Sequence, residues 1–459
     1  MSEAQTQNKM GVMPVDRLLI SMSLPMMISM LVQALYNIVD SVFVARISED
    51  ALTAVSISFP IQNLMIALSV GIAVGVNALL SKSLGEGNPE RACQIAEQGV
   101  FIEAICYVLF LLLGLFGMRL FFESQTNDAE ITRLGIEYLS VCCIFSFGLF
   151  IQIIFERLLQ STGRTTLAMI SQLIGAITNI ILDPLLIFGV PALGIPATGV
   201  TGAAVATVIG QCVGALVGIL LNKYRNPEIA LDLRHFRPSA TICGEILRIG
   251  VPSAIMGSIG SVMTYGINKI LFSFDAQGKT ATAVFGVYFK LQSFVFMPVF
   301  GLNNGVVPII SYNYGAKKRE RITKTIRYSV IYATVIMVLG FSIFQLCPAL
   351  LLQMFDASEQ MLAIGMPALR LISYSFIFAG VSIVCSSVFQ ALGNGFFSML
   401  MSIARQLLIL LPAAYLLAHL AGLHAVWYAF PLAEICCLIL CLFMLRHTYK
   451  TIIDPLETT

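Results

Sequence analysis

The feature that most constrains this chain is the recurrence of long, nearly uncharged apolar stretches along its whole length. A helix needs about 20 apolar residues to cross the hydrocarbon core of a bilayer. Backbone polar groups inside that core must be hydrogen-bonded within the protein, so such stretches are expected to be helices. Glycine, proline and asparagine residues separate them. We therefore predict an all-α integral membrane protein with twelve spans, at 17–44, 52–80, 92–121, 132–157, 165–188, 201–221, 242–274, 280–311, 323–346, 361–392, 397–419 and 425–445.

The position of the charges predicts an orientation for these spans. Only 11% of the residues are charged, whereas soluble domains carry about 25%. If the N-terminus is cytoplasmic, nineteen Lys and Arg residues fall in inner segments and four in outer segments. The positive-inside rule therefore favours a multi-pass topology with both termini in the cytoplasm. The polar start of the chain lacks the apolar core of a signal peptide, so we expect no cleaved leader.

The chain contains an internal repeat with an offset of 230 residues. Apolar composition alone does not explain it, because the matched residues are mainly glycine, glutamine, serine and arginine. Each half holds six spans, an even number, so the halves share one orientation and are expected to be related by an axis along the membrane normal. We predict an N-terminal lobe at 1–222, a cytoplasmic linker at 223–241 and a C-terminal lobe at 242–459. The matched pairs are Gln62/Gln292, Gly71/Gly301, Gly75/Gly305, Ser81/Ser311, Gly85/Gly315, Arg91/Arg321, Gln160/Gln390 and Gly163/Gly393.

Two acidic residues inside apolar spans are candidates for an ion site. An ionisable group within a span is costly unless it is paired, solvated or neutralised. Asp40 lies late in the first span, and Asp183 lies in the fifth span four residues after Asn179, on the same helix face. Pro184 follows and frees a backbone carbonyl nearby. Two carboxylates with amide oxygens can hold a proton or a hard cation such as Na⁺. Alternatively, Asp40 lies at the outer interface and Asp183 is a helix-end residue.

Other polar residues in or near the spans are candidates for a substrate cavity or a gate. Glu156 and Arg157, at the cytoplasmic end of the fourth span, are expected to form an ion pair at a gate or an interface. Arg405 and Glu434 are expected to form a structural pair or to reach towards the membrane surface. To the cavity or the gate we assign Gln33, Tyr36, Glu156, Lys290 and Gln292.

The sequence argues against an enzyme. The segment ending in Lys279 and Thr280 resembles the end of a phosphate loop, but Ser273 stands where the first glycine is required, so ATP hydrolysis is not expected. None of the four histidines forms a metal-ligand pair on a helix. Most of the eleven cysteines lie in apolar runs and are expected to be reduced. We predict no cofactor other than the coupling ion.

Seven short motifs are distributed over nearly the whole chain. They are LP at 24–25, YNIVD at 36–40, GEGN at 85–88, NIILDP at 179–184, YFKLQSF at 288–294, GLNNG at 301–305 and YGA at 314–316. Together they resemble the multidrug and toxic compound extrusion (MATE) family, in a bacterial subgroup of MepA-like proteins. The resemblance implies a V-shaped pair of six-helix lobes in the bacterial inner membrane. It also implies a secondary active antiporter, a monomer without nucleic-acid partners, that exports organic, often cationic, compounds in exchange for protons or sodium.

The resemblance also assigns roles to single residues. In similar proteins an N-lobe cation site uses residues that match Asp40, Asn179, Asp183 and Thr201, so these positions are expected to bind H⁺ or Na⁺. Ion binding in those proteins is linked to a rearrangement of the first helix, which makes Pro25 a candidate hinge. Another branch of the family places acidic residues in the seventh and tenth helices. Here the seventh helix offers Asn268 and Lys269, so no C-lobe carboxylate site is expected.

Two other functions remain open at this stage. One is a flippase for lipid-linked precursors, a class with related architecture that typically needs a strongly cationic central cavity. Lys290 and Lys269 are the only cavity cations that the sequence suggests. The other is an integral-membrane prenyl or acyl transferase, which needs an acidic metal motif or a His–Asp pair near a membrane face, and we identify neither in the sequence.

Overall fold

The computed structural model describes residues 8–232, 234–355 and 357–457, and this part of the chain is almost entirely helical. Its one β-bridge, between Val190 and Ile195, lies in a loop. Eleven helices in the described ranges are long and apolar enough to cross a membrane, and a bent pair of helices supplies a twelfth span. This confirms the predicted fold class of an all-α membrane protein with twelve spans.

The first six membrane helices correspond one to one to the predicted spans, with differences at their ends. In chain order they are α1 (Val15–Ala45), α2 (Glu49–Gly85), α3 (Pro89–Phe116), α4 (Ala129–Ile144 with Phe147–Ser161), α5 (Thr165–Ile187) and α6 (Gly199–Arg225). Shorter helices precede α1 (Lys9–Val12) and α4 (Met118–Gln125), and a 3-10 turn, Pro191–Leu193, lies between α5 and α6.

The second six membrane helices repeat this plan. They are α7 (Ala240–Phe272), α8 (Asp275–Gly315), α9 (Arg319–Leu346), α10 (Glu359–Ala391), α11 (Gly395–Ala421) and α12 (Ala429–Thr448). Residues Ala404–Leu410 of α11 are wound as a π-helix. The short helices Pro348–Gln353 and Leu423–Val426 precede α10 and α12, and Tyr449–Ile453 and Asp454–Glu457 follow α12.

The helix ends are set by local chemistry that is readable in the sequence. Asn88 caps α3 by accepting a hydrogen bond from the backbone N–H of Arg91 at 3.0 Å, and Pro89 occupies the first helical position. Ser48 caps α2 in the same way at Ala51 N–H. The loops after α4 and α10 turn at Gly163 and Gly393, whose φ values of 85° and 84° favour glycine.

The fourth span differs from the prediction of one continuous helix at 132–157. It consists of two segments that bend by 45° between Ile144 and Phe147. At the bend the Ser146 hydroxyl donates to the Cys143 carbonyl at 2.8 Å, and a serine that bonds backward in this way is associated with bent helices. The apolar pattern runs through the bend, so hydropathy alone does not indicate it.

The chain forms two compact units, Ile28–Ala254 and Met1–Met27 with Ile255–Thr459. The boundaries fall inside α1 and α7, and each lies two residues after a proline, Pro25 in α1 and Pro252 in α7. The predicted lobe limits at 222 and 242 stay a prediction about the repeat, whereas the units reflect which segments pack together.

Matched glycines of the repeat are sites of close helix packing within each unit. A Cβ atom at Gly71 would lie 2.5 Å from the Ala254 backbone nitrogen, and one at Gly301 would lie 2.5 Å from Met27 Cα. Both approaches are too close for any side chain, so only glycine allows α2 to meet α7 and α8 to meet α1 at these points.

The repeat also reproduces individual hydrogen bonds. Ser81 donates to the Ser161 carbonyl at 2.9 Å, and Ser311 donates to the Ala391 carbonyl at 2.8 Å. Donor and acceptor both differ by 230 residues between the two bonds. The internal repeat is therefore present in the contacts as well as in the sequence.

Candidate functional site

The centre of the candidate site is a pair of carboxyl groups in the unit Ile28–Ala254. Asp40 on α1 and Asp183 on α5 lie within hydrogen-bonding reach of each other. Asp183 is 0% exposed, and Asp40 is partly buried. Both carboxyl oxygens of Asp183 and Oδ1 of Asp40 are buried without a hydrogen-bond donor from the described protein. Ionised carboxylates can only accept hydrogen bonds, so a shared proton or a bound cation is what lets them face each other.

The sequence of α5 places further oxygen atoms beside this pair. Asn179 lies one turn before Asp183, is 3% exposed, and donates from Nδ2 to the Thr207 hydroxyl of α6 at 3.2 Å. Its Oδ1 atom is buried without a partner. Pro184 has no N–H group, so the carbonyl of Ile180 lacks its usual helical hydrogen bond. Uncommitted oxygens of this kind suit a proton or a hard cation.

Tyr36 of α1 belongs to the same group of side chains. Its partly buried phenol lies beside the Thr207 hydroxyl and close to the carboxyl groups of Asp40 and Asp183. Tyr36 was predicted for the substrate cavity or the gate, and in the structure it lies beside the carboxyl pair.

Thr201, the threonine suggested by the family pattern, is in the first turn of α6 and partly buried. In the described part of the chain its side chain makes no hydrogen bond to the carboxyl pair. Thr207, nearly two turns further along α6, makes the contact with Asn179 instead. The only sequence signal for Thr207 was a hydroxyl in an otherwise apolar helix.

A second group of polar side chains lies next to the carboxyl pair. The sequence predictions did not include this group. Gln62 of α2 donates to the Tyr138 hydroxyl at 3.1 Å and approaches the Cys142 sulfur at 3.7 Å. Tyr138 and Cys142 both lie close enough to Asp40 to interact electrostatically with it. These side chains come from α2 and α4, and their proximity to Asp40 depends on the tertiary fold.

Gln33 and Glu156, also predicted for the cavity or the gate, lie in polar clusters of the same unit. Gln33 accepts a hydrogen bond from Gln172 of α5 at 3.2 Å, and Gln172 in turn accepts one from Ser29. Glu156 is buried in α4 and accepts from Gln152 at 2.9 Å. Arg157 donates to Gln160 at 3.0 Å.

In the unit Met1–Met27 with Ile255–Thr459, the residues predicted for the cavity are not part of a comparable polar cluster. Lys290 on α8 is exposed, and within the described ranges it has no ion pair or hydrogen bond; Gln292 is partly buried. Arg405 of α11 forms an ion pair with Glu434 of α12, at 3.1 Å between Nη1 and Oε1. Pro25 is partly buried inside α1, which continues as a helix on both sides of it.

No preformed site for a multivalent metal is apparent in the part of the chain that the structure describes. No three His, Cys, Asp or Glu side chains there are grouped as metal ligands. The carboxyl pair with amide, hydroxyl and carbonyl oxygens suits a monovalent ion or a proton.

Comparison with known proteins gives consistent matches over the whole length. The family model described as MatE matches residues 25–185 and 252–416. The chain is 26% identical to the multidrug export protein MepA of Staphylococcus haemolyticus, over 92% of this chain and 91% of that protein. It is 25% identical to an FAD transporter of Shewanella oneidensis, over 97% of each. A solved outward-facing multidrug resistance MATE family transporter of the MOP superfamily aligns with a TM-score of 0.91 at 25% identity, covering 100% of both chains.

Proposed function

The chain belongs to the MatE family, and from this premise we propose that it is a secondary active antiporter that exports organic, often cationic, compounds in exchange for H⁺ or Na⁺. It is a membrane transporter of the multidrug efflux type, not an enzyme. The proposal that ion exchange drives export rests on one observation. The carboxyl groups of Asp40 and Asp183 lie within hydrogen-bonding reach of each other, and both oxygens of Asp183 and Oδ1 of Asp40 are buried without a hydrogen-bond donor from the described protein.

The chemistry of the pair explains how one site can couple ion and cargo movement. With both carboxyls ionised and no cation bound, burial and mutual repulsion make the arrangement costly. A proton or Na⁺ removes that repulsion and stabilises the packed α1–α5 contact. Loss of the ion then favours separation of these helices, so ion occupancy selects between conformations.

The two candidate ions need different ligands. A proton requires only the two carboxyls, one of which becomes a donor to the other. Sodium requires several oxygen ligands, and Asn179 Oδ1 and the Ile180 carbonyl are uncommitted oxygens on the same helix. Thr207 and Tyr36 add hydroxyl oxygens next to the pair. Both ions therefore remain in the proposal.

The test is efflux from proteoliposomes loaded with a fluorescent organic cation, with a proton gradient and a sodium gradient imposed separately. Asp183→Asn keeps the size of the side chain but abolishes the charge change, so efflux driven by the coupling ion is expected to fall to background. The matched control is Asp50→Asn, at an exposed aspartate in the first turn of α2. Normal gradient-driven efflux by a folded Asp183→Asn protein would refute the coupling site.

The class of the cargo has to be tested separately in this experiment, because the names of the relatives refer to different cargoes. One is named as a multidrug exporter and another as an FAD transporter. The Lys290 side chain on α8 is exposed and positively charged, which is compatible with an anionic cargo such as a dinucleotide. Vesicles loaded with FAD in place of the organic cation separate the two classes. Movement of a fluorescent lipid-linked pyrophosphate between leaflets would instead support the flippase alternative.

We also propose that the protein is a monomer in the bacterial inner membrane and works without a cofactor. The positive-inside count supports a topology with both termini in the cytoplasm. Light scattering of the purified protein in detergent, corrected for bound detergent, checks the oligomeric state.

A further inference from the structure

A third intramembrane carboxyl group lies away from the Asp40–Asp183 pair. Glu103 occupies the middle of the 28-residue helix α3, about 20 Å from either helix end. It is 2% exposed, although glutamate is among the residues least often fully buried. Glu103 is absent from the sequence predictions above.

Among the described residues, no positive charge lies beside Glu103, and the polar group that approaches it from a neighbouring helix is a hydroxyl. The hydroxyl of Ser69 on α2 lies beside the carboxyl, and the Cys106 thiol is one turn further along α3. From α4, the other long helix packed on α3, no charged group faces it. Neither carboxyl oxygen of Glu103 has a hydrogen-bond partner in the described protein, and the fully buried Ser69 hydroxyl has none either.

This arrangement is unfavourable for an ionised carboxylate. An uncompensated charge near the middle of a membrane protein is strongly destabilising, and every neighbour of Glu103 is neutral. A bound proton removes the charge and converts one carboxyl oxygen into a donor, for which the Ser69 hydroxyl is an available acceptor. The packed arrangement of α2 and α3 therefore fits the proton-loaded side chain.

A permanently neutral glutamate would bring no structural benefit here. Leucine or methionine would fill the same space without burying polar atoms, and glutamine would have the same shape without the ability to ionise. Buried ionisable groups that lack a structural partner in a membrane segment are functional candidates for this reason.

We propose that Glu103 and Ser69 form a second proton-binding site of the transporter, separate from Asp40 and Asp183. The site holds a proton in the arrangement described here and releases it in another state of the transport cycle, when water reaches the α2–α3 contact. The exchange step rests on the proposed antiport function, whereas the presence of a proton on Glu103 does not.

The first experiment detects the proton without using transport. Infrared difference spectra between wild type and variant, recorded at the same pH, contain the carbonyl stretch of a carboxylic acid that is protonated in one protein and absent from the other. Glu103→Gln is expected to lack one band that wild type shows at neutral pH, and Glu90→Gln, at an exposed position in the first turn of α3, is expected to keep it. An unchanged band in Glu103→Gln means that the residue is ionised at neutral pH and overturns the proposal.

The second experiment tests exchange. Protons released on addition of cargo are counted with a pH indicator in weakly buffered detergent solution. Glu103→Gln is expected to release one proton fewer than wild type and Glu90→Gln, while it still binds the fluorescent cation. Ser69→Ala keeps the carboxyl and is expected to retain the proton count but to shift its pH dependence.

The outcomes separate this site from the coupling pair. If Asp183→Asn abolishes gradient-driven efflux while Glu103→Gln leaves the proton count and its pH dependence unchanged, the second site is refuted and the antiport proposal stands. If Glu103→Gln does not fold, Glu103→Leu, which fills the same space without a carboxyl group, takes its place in both experiments, and an unchanged infrared band and proton count in that variant would refute the site equally.

Discussion

The carboxyl groups of Asp40 and Asp183 depend on a few uncharged neighbours for their chemistry. Asn179 and Thr207 are joined by a 3.2 Å hydrogen bond, which fixes the orientation of the Asn179 amide and leaves its Oδ1 atom free. A proton needs no such orientation, but a sodium ion does, because its ligands must converge. The uncharged neighbours are therefore where the two coupling ions are distinguished most directly.

Thr207→Val removes one hydroxyl group and thereby tests this arrangement. The substitution keeps the shape of the side chain but leaves the buried Asn179 Nδ2 without its acceptor, at a cost of about 1–2 kcal/mol. If Na⁺ is the coupling ion, its apparent affinity is expected to fall about tenfold, since 1.4 kcal/mol corresponds to that factor. The measurement is the sodium dependence of efflux in proteoliposomes.

The comparison variant for that measurement is Thr201→Val. Thr201 matches the family pattern, but its side chain makes no hydrogen bond to the pair within the described residues, so a smaller effect is expected. A larger loss in Thr201→Val than in Thr207→Val would show that Thr201 completes the site in the ion-loaded state.

We expect ion binding to act on the rest of the chain through the helices α1 and α7. Each is a single helix that contributes to both compact units, and each carries a proline two residues before the point of transfer. Proline removes one helical hydrogen bond and weakens the helix locally. Close packing of Gly71 against Ala254 and of Gly301 against Met27 holds the segments beside these prolines.

Pro25→Ala and Pro252→Ala are expected to restore the missing backbone bond and stiffen the two helices. Alanine is about 3 kcal/mol more favourable than proline inside a helix, so thermal stability in detergent should rise or stay level. The rate of efflux should fall severalfold, because the local bend costs more. Efflux by reconstituted protein and a melting curve are measured on the same preparations.

Pro60→Ala is the matched control for both substitutions. Pro60 also interrupts a membrane helix, α2, but it is exposed and does not lie at a unit boundary. Efflux that is equally slow in Pro60→Ala, or unchanged in both hinge variants, would contradict a specific role for Pro25 and Pro252.

At the scale of the whole molecule, the distribution of charge predicts how the chain is inserted. With a cytoplasmic N-terminus, the inner segments would carry nineteen Lys and Arg residues and the outer segments four, and this bias is more informative than the small net charge of +2. Inner and outer segments alternate in this way only if the number of spans is even. The predicted topology therefore requires the bent α4 to cross the membrane once.

Reporter fusions check this topology. A fluorescent protein that folds only in the cytoplasm is expected to be bright when fused after residue 226, at the end of α6. An alkaline phosphatase that is active only outside the inner membrane is expected to be active when fused at Gly194, between α5 and α6. Phosphatase activity at 226 would show that α4 does not span the membrane or that the orientation is reversed.

The sequence alone determined the membrane class, the twelve spans, the repeat and the two aspartates, because each depends on local composition or on spacing along one helix. The predicted fifth span at 165–188 differs from α5, Thr165–Ile187, by one residue at one end. Like Asp40, Glu103 is an acidic residue in an apolar run of the sequence. That its carboxyl oxygens lack a hydrogen-bond donor is visible only in the tertiary structure.

The tertiary structure decided which of these residues meet. Asp40 and Asp183 are far apart along the chain, and only the packing of α1 and α5 distinguishes a shared buried pair from two separate surface groups. Packing of α5 against α6 likewise decides that Thr207, and not Thr201, is the hydrogen-bond partner of Asn179. Helix periodicity fixes which residues share a face, but the rotation of one helix against another is set by packing between residues distant in sequence, which no single segment encodes.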